Sequence, residues 1–346
     1  MVKISVIMAV YNTEEFVASA IESVLNQSLK EIELLCVNDG STDGSLDILN
    51  EYASKDKRVH VFSHENRGAS YTRNVALAQA TGEYIHILDG DDMMPEGAYE
   101  RMYERAKENV LDILFFDSQI IFDDASLAKK HADYVKYYKR EREYGEITTG
   151  EELFCRLSAD NAYLSQASMY LINGDFQKKN NITFFEGITH EDQLFTFLCI
   201  MAAKRVSHIN ELLFIRRIRG NSAITGTLRI ENVIGLLTCF DEMYHYVRSN
   251  NIDESTQRAA IKELSKVAQS GILKYSQLPD EERMKVANSS FYVQMFISSF
   301  GNSYLQLYMN QKQHAQIEDI YKSRSWRITK PLRIISRLIK RIFRKY

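Results

Sequence analysis

Cysteine is scarce and scattered in this chain of 346 residues: Cys36, Cys155, Cys199 and Cys239 form no CxxC pair. Such spacing excludes a disulfide framework and a zinc–thiolate site, and it suits a reducing cytosol. Long apolar runs are also missing. The longest, such as Ile4 to Val10 and Val233 to Leu237, fall well short of the roughly 18 residues that cross a bilayer. The Met-Val-Lys start leads into an apolar run ending at Tyr11-Asn12 with no small-residue cleavage site behind it, so neither a signal peptide nor a transmembrane helix is expected. The first turn lacks both GxGxxG and GxxxxGK[ST], which argues against a dinucleotide enzyme and a P-loop NTPase. Residues 10 to 16 hold no Gly, Arg or Lys, which argues against a nucleotidyltransferase with a Gly-rich basic loop after its first strand.

What is present is ordinary for a protein with a real core. Hydrophobic residues at 45% and charged residues at 26% exclude disordered, collagenous and coiled-coil classes. The length suits one large catalytic-type domain with an appendage, or two domains. The net charge of -3 hides an asymmetry. Residues 321–346 carry ten Lys or Arg and no acid, leaving an acidic body of 33 basic and 46 acidic residues.

Apolar runs at Ile4 to Ala9, Ile32 to Val37, Val59 to Phe62, Tyr84 to Leu88 and Ile113 to Phe116 read as strands. Segments of helical periodicity separate them, among them Phe16 to Leu25, Ala69 to Ala80 and Gly97 to Lys107. The alternation predicts an α/β fold, Rossmann-like, with a mostly parallel sheet and helices on both faces. Residues 117 to 184 lack a clear pattern, and a tyrosine-rich patch from Tyr134 to Tyr144 stays unassigned. Beyond Arg229 the spacing of Val233, Leu236, Leu237, Phe240, Met243, Tyr244 and Val247, and of Ile261, Leu264, Ala268, Ile272 and Tyr275, predicts a helical C-terminal region.

Ligands of an open α/β sheet lie beyond the carboxyl ends of its strands, and here those ends are polar. Strand one ends in Ala9-Val10-Tyr11-Asn12, strand two in Asn38-Asp39-Gly40-Ser41-Thr42-Asp43, and strand four in Asp89-Gly90-Asp91-Asp92; Asn66-Arg67-Gly68 follows strand three. Three carboxylates within four residues repel one another unless a positive charge lies between them, and Mn²⁺ or Mg²⁺ with a diphosphate would supply it. Asp89 and Asp91 point to one side of an extended segment, while Asp92 points to the other and suits bracing the turn. A solvated acidic turn is the plainer reading. Likewise Tyr11 suits a packed strand-end aromatic and Asp39 an Asx turn before Gly40.

Together, Val6 to Asn12, Val37 to Asp43, Asn66-Arg67-Gly68 with Arg73-Asn74, and Leu88 to Asp92 with Pro95 resemble the N-terminal signature of glycosyltransferase family 2, inverting GT-A enzymes that use nucleotide-diphosphate sugars. The resemblance covers residues 1 to 120. It implies a GT-A fold in which Tyr11 stacks on the nucleobase, Asp39 accepts from a uracil imide N–H, Asp89 lies near the ribose and Asp91 ligates Mn²⁺ or Mg²⁺, with Asp89 as a second metal ligand. Ala9, Asn12 and Gly90 belong to the same nucleotide-sugar surface. Arg73 and Asn74 serve either the nucleotide or a helix face.

Further on, Leu194, Phe195 and Leu198 place Glu191 and Asp192 at a helix start, where the dipole favours an ionised carboxylate. An ionised carboxylate can remove the proton of an attacking hydroxyl. The stretch resembles the Glu-Asp motif of the same family, which makes Asp192 the expected base and Glu191 its support or an acceptor contact; His190 is left open. Arg216 to Thr225 reads as a basic, Gly-containing loop able to close over a diphosphate. Arg217, Arg219 and Ser222 are the candidates there, and the segment resembles the Arg-rich stretch ending in Asn-Ser of bacterial members.

In the tail, Leu332, Ile335, Leu338, Ile339, Ile342 and Phe343 share a helix face, while Arg333, Arg337, Lys340, Arg341 and Arg344 take the others. That pattern reads as an in-plane anchor on anionic lipid, or as a helix docking on protein. The continuous apolar face and the acidic body argue against nucleic acid. Similar tails recur on bacterial transferases that build surface polysaccharide on lipid carriers.

The expected organisation is a catalytic domain over 1–225, divided into a nucleotide-sugar half at 1–120 and an acceptor half at 121–225, then a helical region at 226–320 and a basic amphipathic tail at 321–346. The expected activity is metal-dependent, inverting transfer of a hexose or N-acetylhexosamine, UDP-linked in preference, to a glycan, lipid-linked or glycoprotein acceptor. A non-catalytic nucleotide-sugar or membrane-binding role and a nucleotidyltransferase are the alternatives. The expected location is cytoplasmic, peripheral at the inner face of the cell membrane through the tail. Monomer and homodimer both stay open.

Overall fold

The computed structural model describes residues 1–220 and 227–285. Its elements run β1 (Ile4–Val10), α1 (Val17–Leu25), β2 (Ile32–Asp39), α2 (Ser45–Lys55), β3 (Val59–His64), α3 (Ala69–Gln79), β4 (Tyr84–Asp89), α4 (Ala98–Glu108) and β5 (Ile113–Phe122). The second half contains α5 (Ala125–Lys130), α6 (Tyr134–Tyr137), α7 (Gly150–Ala159), β6 (Tyr170–Asn173), α8 (Gly174–Lys179), α9 (Glu191–Ala202) and β7 (Val206–Ile218). Helices α10 (Ile230–Ser249), α11 (Glu254–Gln277) and α12 (Asp280–Met284) follow. Ser222 and the tail at 321–346 lie outside the described residues.

The strands form one sheet in the order β3-β2-β1-β4-β6-β5-β7. β1 pairs in parallel with β2 and β4, β2 with β3, and β5 with β7. β6 is antiparallel to both β4 and β5, so the sheet is mostly parallel, as expected, with one antiparallel strand inserted. The sequence pattern missed β6 because it is four residues long, and missed β7 because Arg and Glu interrupt its apolar positions.

The central strands are buried on both faces and therefore read as near-continuous apolar runs. Their side chains alternate between two cores. Ile7, Leu35, Ile85, Ile113 and Phe115 face α3, α7, α9, α10 and α11. Val6, Met8, Leu34, Leu88 and Phe116 face α1 and α4. Residues 1–283 form one compact unit, in which α10 packs on α9 and α11 packs on α7 and α10.

Gly235 fixes how α10 crosses the loop leading into α9. A Cβ there would stand 2.2 Å from the Thr189 carbonyl oxygen. Gly235→Ala should force α10 away from that loop and lower stability by about 1–3 kcal/mol, read as a lower denaturant midpoint. An unchanged midpoint would mean the crossing adjusts freely.

Candidate active site

A cleft of about 370 Å³ opens at the carboxyl ends of β1, β2 and β4, and Ala9, Tyr11, Asp39, Arg73, Asp89, Gly90, Asp91 and Arg219 all line it. The parallel β2-β1-β4 register brings Ala9, Tyr11, Asp39, Asp89, Gly90 and Asp91 together from three strand ends, and Arg73 from α3 and Arg219 after β7 join them. Tyr11 follows β1, is 49% exposed and lines the cleft, where its ring suits a planar ligand. Asp39 ends β2 and is buried. Its Oδ1 accepts from the Arg67 N–H at 2.7 Å and its Oδ2 from the Gly68 N–H at 3.0 Å. Oδ1 also faces His64 Nδ1 at 3.5 Å, and Oδ2 keeps a second lone pair for a donor in the cleft. Arg67 lies 3.6 Å from the Tyr71 ring centroid, which makes a second flat surface beside Asp39.

Arg73 is the hub. It projects from the second turn of α3 with its side chain 7% exposed, and its guanidinium reaches Asp89 at 2.7 Å, Glu191 at 2.5 Å and Asp192 at 3.5 Å. Burial opposes the Arg73 charge, but the three carboxylates outweigh it and hold the guanidinium above its ordinary range. Burial likewise opposes ionisation of Asp89, and Arg73 overrides it, so that carboxyl sits below its usual range. The neighbouring Asn74 clamps the approach to α9: it donates to the Phe184 carbonyl at 2.8 Å and accepts from the Phe184 N–H at 2.8 Å. Of the two roles left open for Asn74, nucleotide contact or helix face, its side chain is spent on the second. Arg73 lines the cleft but chiefly joins it to the Glu-Asp motif.

The three aspartates at the end of β4 each have a protein partner. Asp89 has Arg73, Asp91 has Arg219 at 2.6 Å, and Asp92 accepts from the Arg217 N–H at 2.8 Å. Asp92 braces the turn, as the alternation implied, and burial pushes its carboxyl well above the usual range. Asp91 is raised by burial and by the charge of Asp89, despite Arg219. The positive charge that the sequence called for beside these carboxylates is supplied in part by the protein, through Arg73 on Asp89 and Arg219 on Asp91. Among the described residues no three acidic, histidine or cysteine side chains converge to hold a metal alone. Mg²⁺ and Mn²⁺ with a diphosphate typically need only one or two carboxylates, and Asp91 with Asp89 on the cleft wall fits that requirement.

Asp192 and Glu191 open α9. The helix dipole led us to expect an ionised Asp192. Instead burial raises its carboxyl to about 7, against Arg73 and with help from Glu191 and Asp89, because desolvation exceeds what the helix terminus returns. His190 precedes them with φ 64°, and burial lowers its imidazole to about 4, leaving it neutral.

Arg217 sits near the end of β7, not in a loop, and it belongs to the frame of the site. Its Nε donates to the Asp91 carbonyl at 3.1 Å and its Nη1 pairs with Asp123 at 2.8 Å. Asn12 is likewise structural: its Oδ1 accepts from the Thr42 N–H at 2.8 Å. The sequence reading passed over Arg216. Its guanidinium lies 4.9 Å from the Tyr138 ring centroid, and it is held positive by Tyr138, Asp92, Asp89 and Asp192 against burial. Strand alternation with buried Phe214 and Ile218 would have found it, had β7 been recognised.

Residues 5–168 match the model of glycosyl transferase family 2. An uncharacterized glycosyltransferase of Haemophilus influenzae is 31% identical over 58% of this chain and 73% of its own length. The uncharacterized glycosyltransferase EpsJ of Bacillus subtilis is 32% identical over 63% of this chain; the alignment spans 62% of EpsJ, so about three fifths of that relative is matched. Residues 1–349 of S. aureus TarS, solved with UDP-GlcNAc, share the fold at a TM-score of 0.62 and 20% identity, over 90% of this chain and 92% of that one.

Removing the hub leaves three carboxylates clustered without their cation. Arg73→Ala should lower stability by about 3–5 kcal/mol in a denaturant titration, and a loss under 1 kcal/mol would show that solvent reaches the cluster.

Proposed function

The chain belongs to glycosyl transferase family 2, and from that premise we propose that it is an inverting glycosyltransferase. It would move a hexose or N-acetylhexosamine from a nucleotide-diphosphate sugar, UDP-linked in preference, to a hydroxyl of a glycan, lipid-linked or glycoprotein acceptor. One observation carries the reading: Arg73 ties Asp89 on the cleft wall to Glu191 and Asp192. The cleft and a carboxylate suited to proton abstraction thus form one site. The UDP-GlcNAc bound in the TarS structure supports a UDP-sugar as the first donor to try.

In this reading Tyr11 stacks on the base and Asp39 accepts from its imide N–H. Asp192 takes the proton of the acceptor hydroxyl, whose oxygen attacks the anomeric carbon from the face opposite the departing diphosphate. An α-linked donor then gives a β-linked product. A base with a pKa near 7 matches the task at neutral pH, and Glu191 helps keep Arg73 beside it. Asp91 and Asp89 would hold Mn²⁺ or Mg²⁺, which when bound offsets charge on the leaving diphosphate. Arg219 is placed to meet the same phosphates. Catalysis is assigned to 1–225, with the donor at 1–120 and the acceptor beyond. None of the described helices is long and apolar enough to cross a membrane, and attachment through residues 321–346 rests on their sequence.

A thermal-shift series with UDP-, GDP-, CMP- and dTDP-linked sugars, with and without Mn²⁺, tests the donor. A manganese-dependent rise with one nucleotide class is expected; no rise with any of them in folded protein sinks the reading. Asp192→Asn should cut turnover by about 10²–10⁴-fold while UDP still binds, and near-normal turnover would remove Asp192 from the role of base.

The pH dependence has a definite sign. Asp192 must lose its proton to act, so turnover should rise with pH around a midpoint near 7. Its carboxyl is raised from 3.8, so the folded state holds an extra proton between those values, and wild-type stability falls as pH climbs through that window. Asp192→Asn lacks this titration, so its melting temperature should gain on the wild type from pH 5 to pH 8. A constant gap would mean that the folded Asp192 titrates normally.

A further inference from the structure

We propose that the cleft between residues 136–144 and 160–162 is an acceptor subsite that takes a phosphate group carried by the acceptor. The proposal rests on the glycosyltransferase reading above and adds the chemical class of its second substrate.

With the donor at the ends of β1, β2 and β4, an acceptor reaches Asp192 from the other half of the sheet, where the segment after β5 lies. That segment departs from the charge of its surroundings. Residues 129–142 carry six Lys or Arg against two acids, in a chain whose first 320 residues are otherwise acidic. The segment forms one wall of a separate cleft of about 370 Å³, with Lys136, Tyr137, Lys139 and Arg142 on that wall and Asp160 and Asn161 opposite.

The polar groups are poised for an anion. Lys136 and Lys139 are exposed, and neither ammonium has an ion-pair partner among the described residues. Arg142 Nη1 contacts both oxygens of Asp160, at 3.0 and 3.2 Å, and the Tyr144 hydroxyl donates to the same carboxylate at 2.8 Å. Asp160 is thereby neutralised and fixes one edge of a guanidinium whose side chain is 72% exposed. Glu141 is the remaining acid of the lining. Three separated cationic donors around a hollow suit a tetrahedral anion with several free oxygens better than a planar carboxylate, and a neutral glycan would leave the ammoniums without partners.

The floor is rigid. The Arg140 side chain is buried with its Nη1 on Asp117 at 2.9 Å and on the Phe116 carbonyl at 3.0 Å, and His208 meets the same Asp117 at 3.1 Å. Two tyrosine rings separate the cleft from Arg216, which is held positive in part by Asp89 and Asp192. The half-exposed Tyr137 ring lies edge to face with Tyr138 at 4.9 Å, and Tyr138 in turn carries Arg216 at 4.9 Å. The Tyr137 face can take a sugar ring while the lysines hold the phosphate next to it.

Isothermal titration of the full chain at low and high salt tests this, with a glycerol-phosphate oligomer as probe and maltoheptaose as the neutral control. Wild type should bind the oligomer in a salt-sensitive way and ignore the neutral sugar. K136A/K139A should weaken oligomer binding about tenfold or more, whereas K55A/K57A, an equal charge change on and after α2, should not. Every variant keeps residues 321–346, so the difference between variants reads the cleft and not the tail. A parallel arm uses phosphatidylglycerol vesicles: if vesicle binding is what K136A/K139A loses, the phosphate is a lipid headgroup and the site stands. Equal binding of both probes by wild type and K136A/K139A, or no binding by wild type, overturns it. The donor thermal shift is read on the same samples, so a donor that shifts the protein while the oligomer fails condemns only this subsite.

Discussion

One guanidinium joins what the chain supplies from three distant places. Arg73 on α3 meets Asp89 from β4 and both Glu191 and Asp192 from α9, residues separated by up to 119 positions. Three carboxylates this close in a partly buried site could not all stay ionised without a cation, since each charge raises the proton affinity of the others. The consequence reaches beyond charge. Because Arg73 is shared, the wall that would meet the donor phosphates and the carboxylate that would meet the acceptor proton are set by one side chain. Anything that draws Asp89 away, or neutralises it, changes how much of Arg73 remains for Asp192.

Chain direction explains how Asp192 arrives there. β6 runs antiparallel between β4 and β5, so it ends beside the start of β4, at the opposite end of the strands from the cleft. The chain must then travel back before α9 begins. Asn74 holds Phe184 on that return by a reciprocal pair of hydrogen bonds, and Arg73, one residue earlier on α3, holds the end point. The Phe184 ring stacks on Phe195 at 3.8 Å and lies 5.1 Å from the Arg73 guanidinium, so the apolar packing of the return segment also fixes the cation. From the other side α10 closes on Thr189 through the bare backbone of Gly235. The helical region thereby takes part in placing Asp192.

The N-terminal half of the sheet was legible in the sequence because the cleft coincides with the architecture. Parallel strands buried on both faces announce themselves as apolar runs, and the residues that line the cleft sit where each run stops, as Tyr11, Asp39 and Asp89 do. Residues 121–225 give no such cue. β6 is too short to register, β7 alternates charged and apolar residues, and the Tyr134 to Tyr144 patch divides into one short helix and a strap along the sheet. Missing β7 turned Arg217 into a loop residue and hid Arg216. What sequence could not supply at all was burial: the dipole argument for an ionised Asp192 was sound locally, and the desolvation that defeats it comes from groups far away in the chain.

The arginines around the Asp89 to Asp92 turn give the site a resting state with its charges already matched. Asp91 binds Arg219 while Arg217 anchors the turn through Asp92 and the Asp91 carbonyl, and Phe16 lies about equally near both guanidinium groups, at 5.1 and 5.2 Å. A diphosphate entering with a divalent ion offers both partners something stronger: two positive charges for Asp91 and a phosphate for Arg219. On the reading proposed above, metal alone would gain only Asp91 and diphosphate alone only Arg219, each at the cost of the ion pair between them. The two together would replace both halves of that pair, so donor and metal would bind better together than either alone. That cooperativity would need no conformational change beyond one side chain, and it follows from an arginine standing where the sequence had suggested a metal ion.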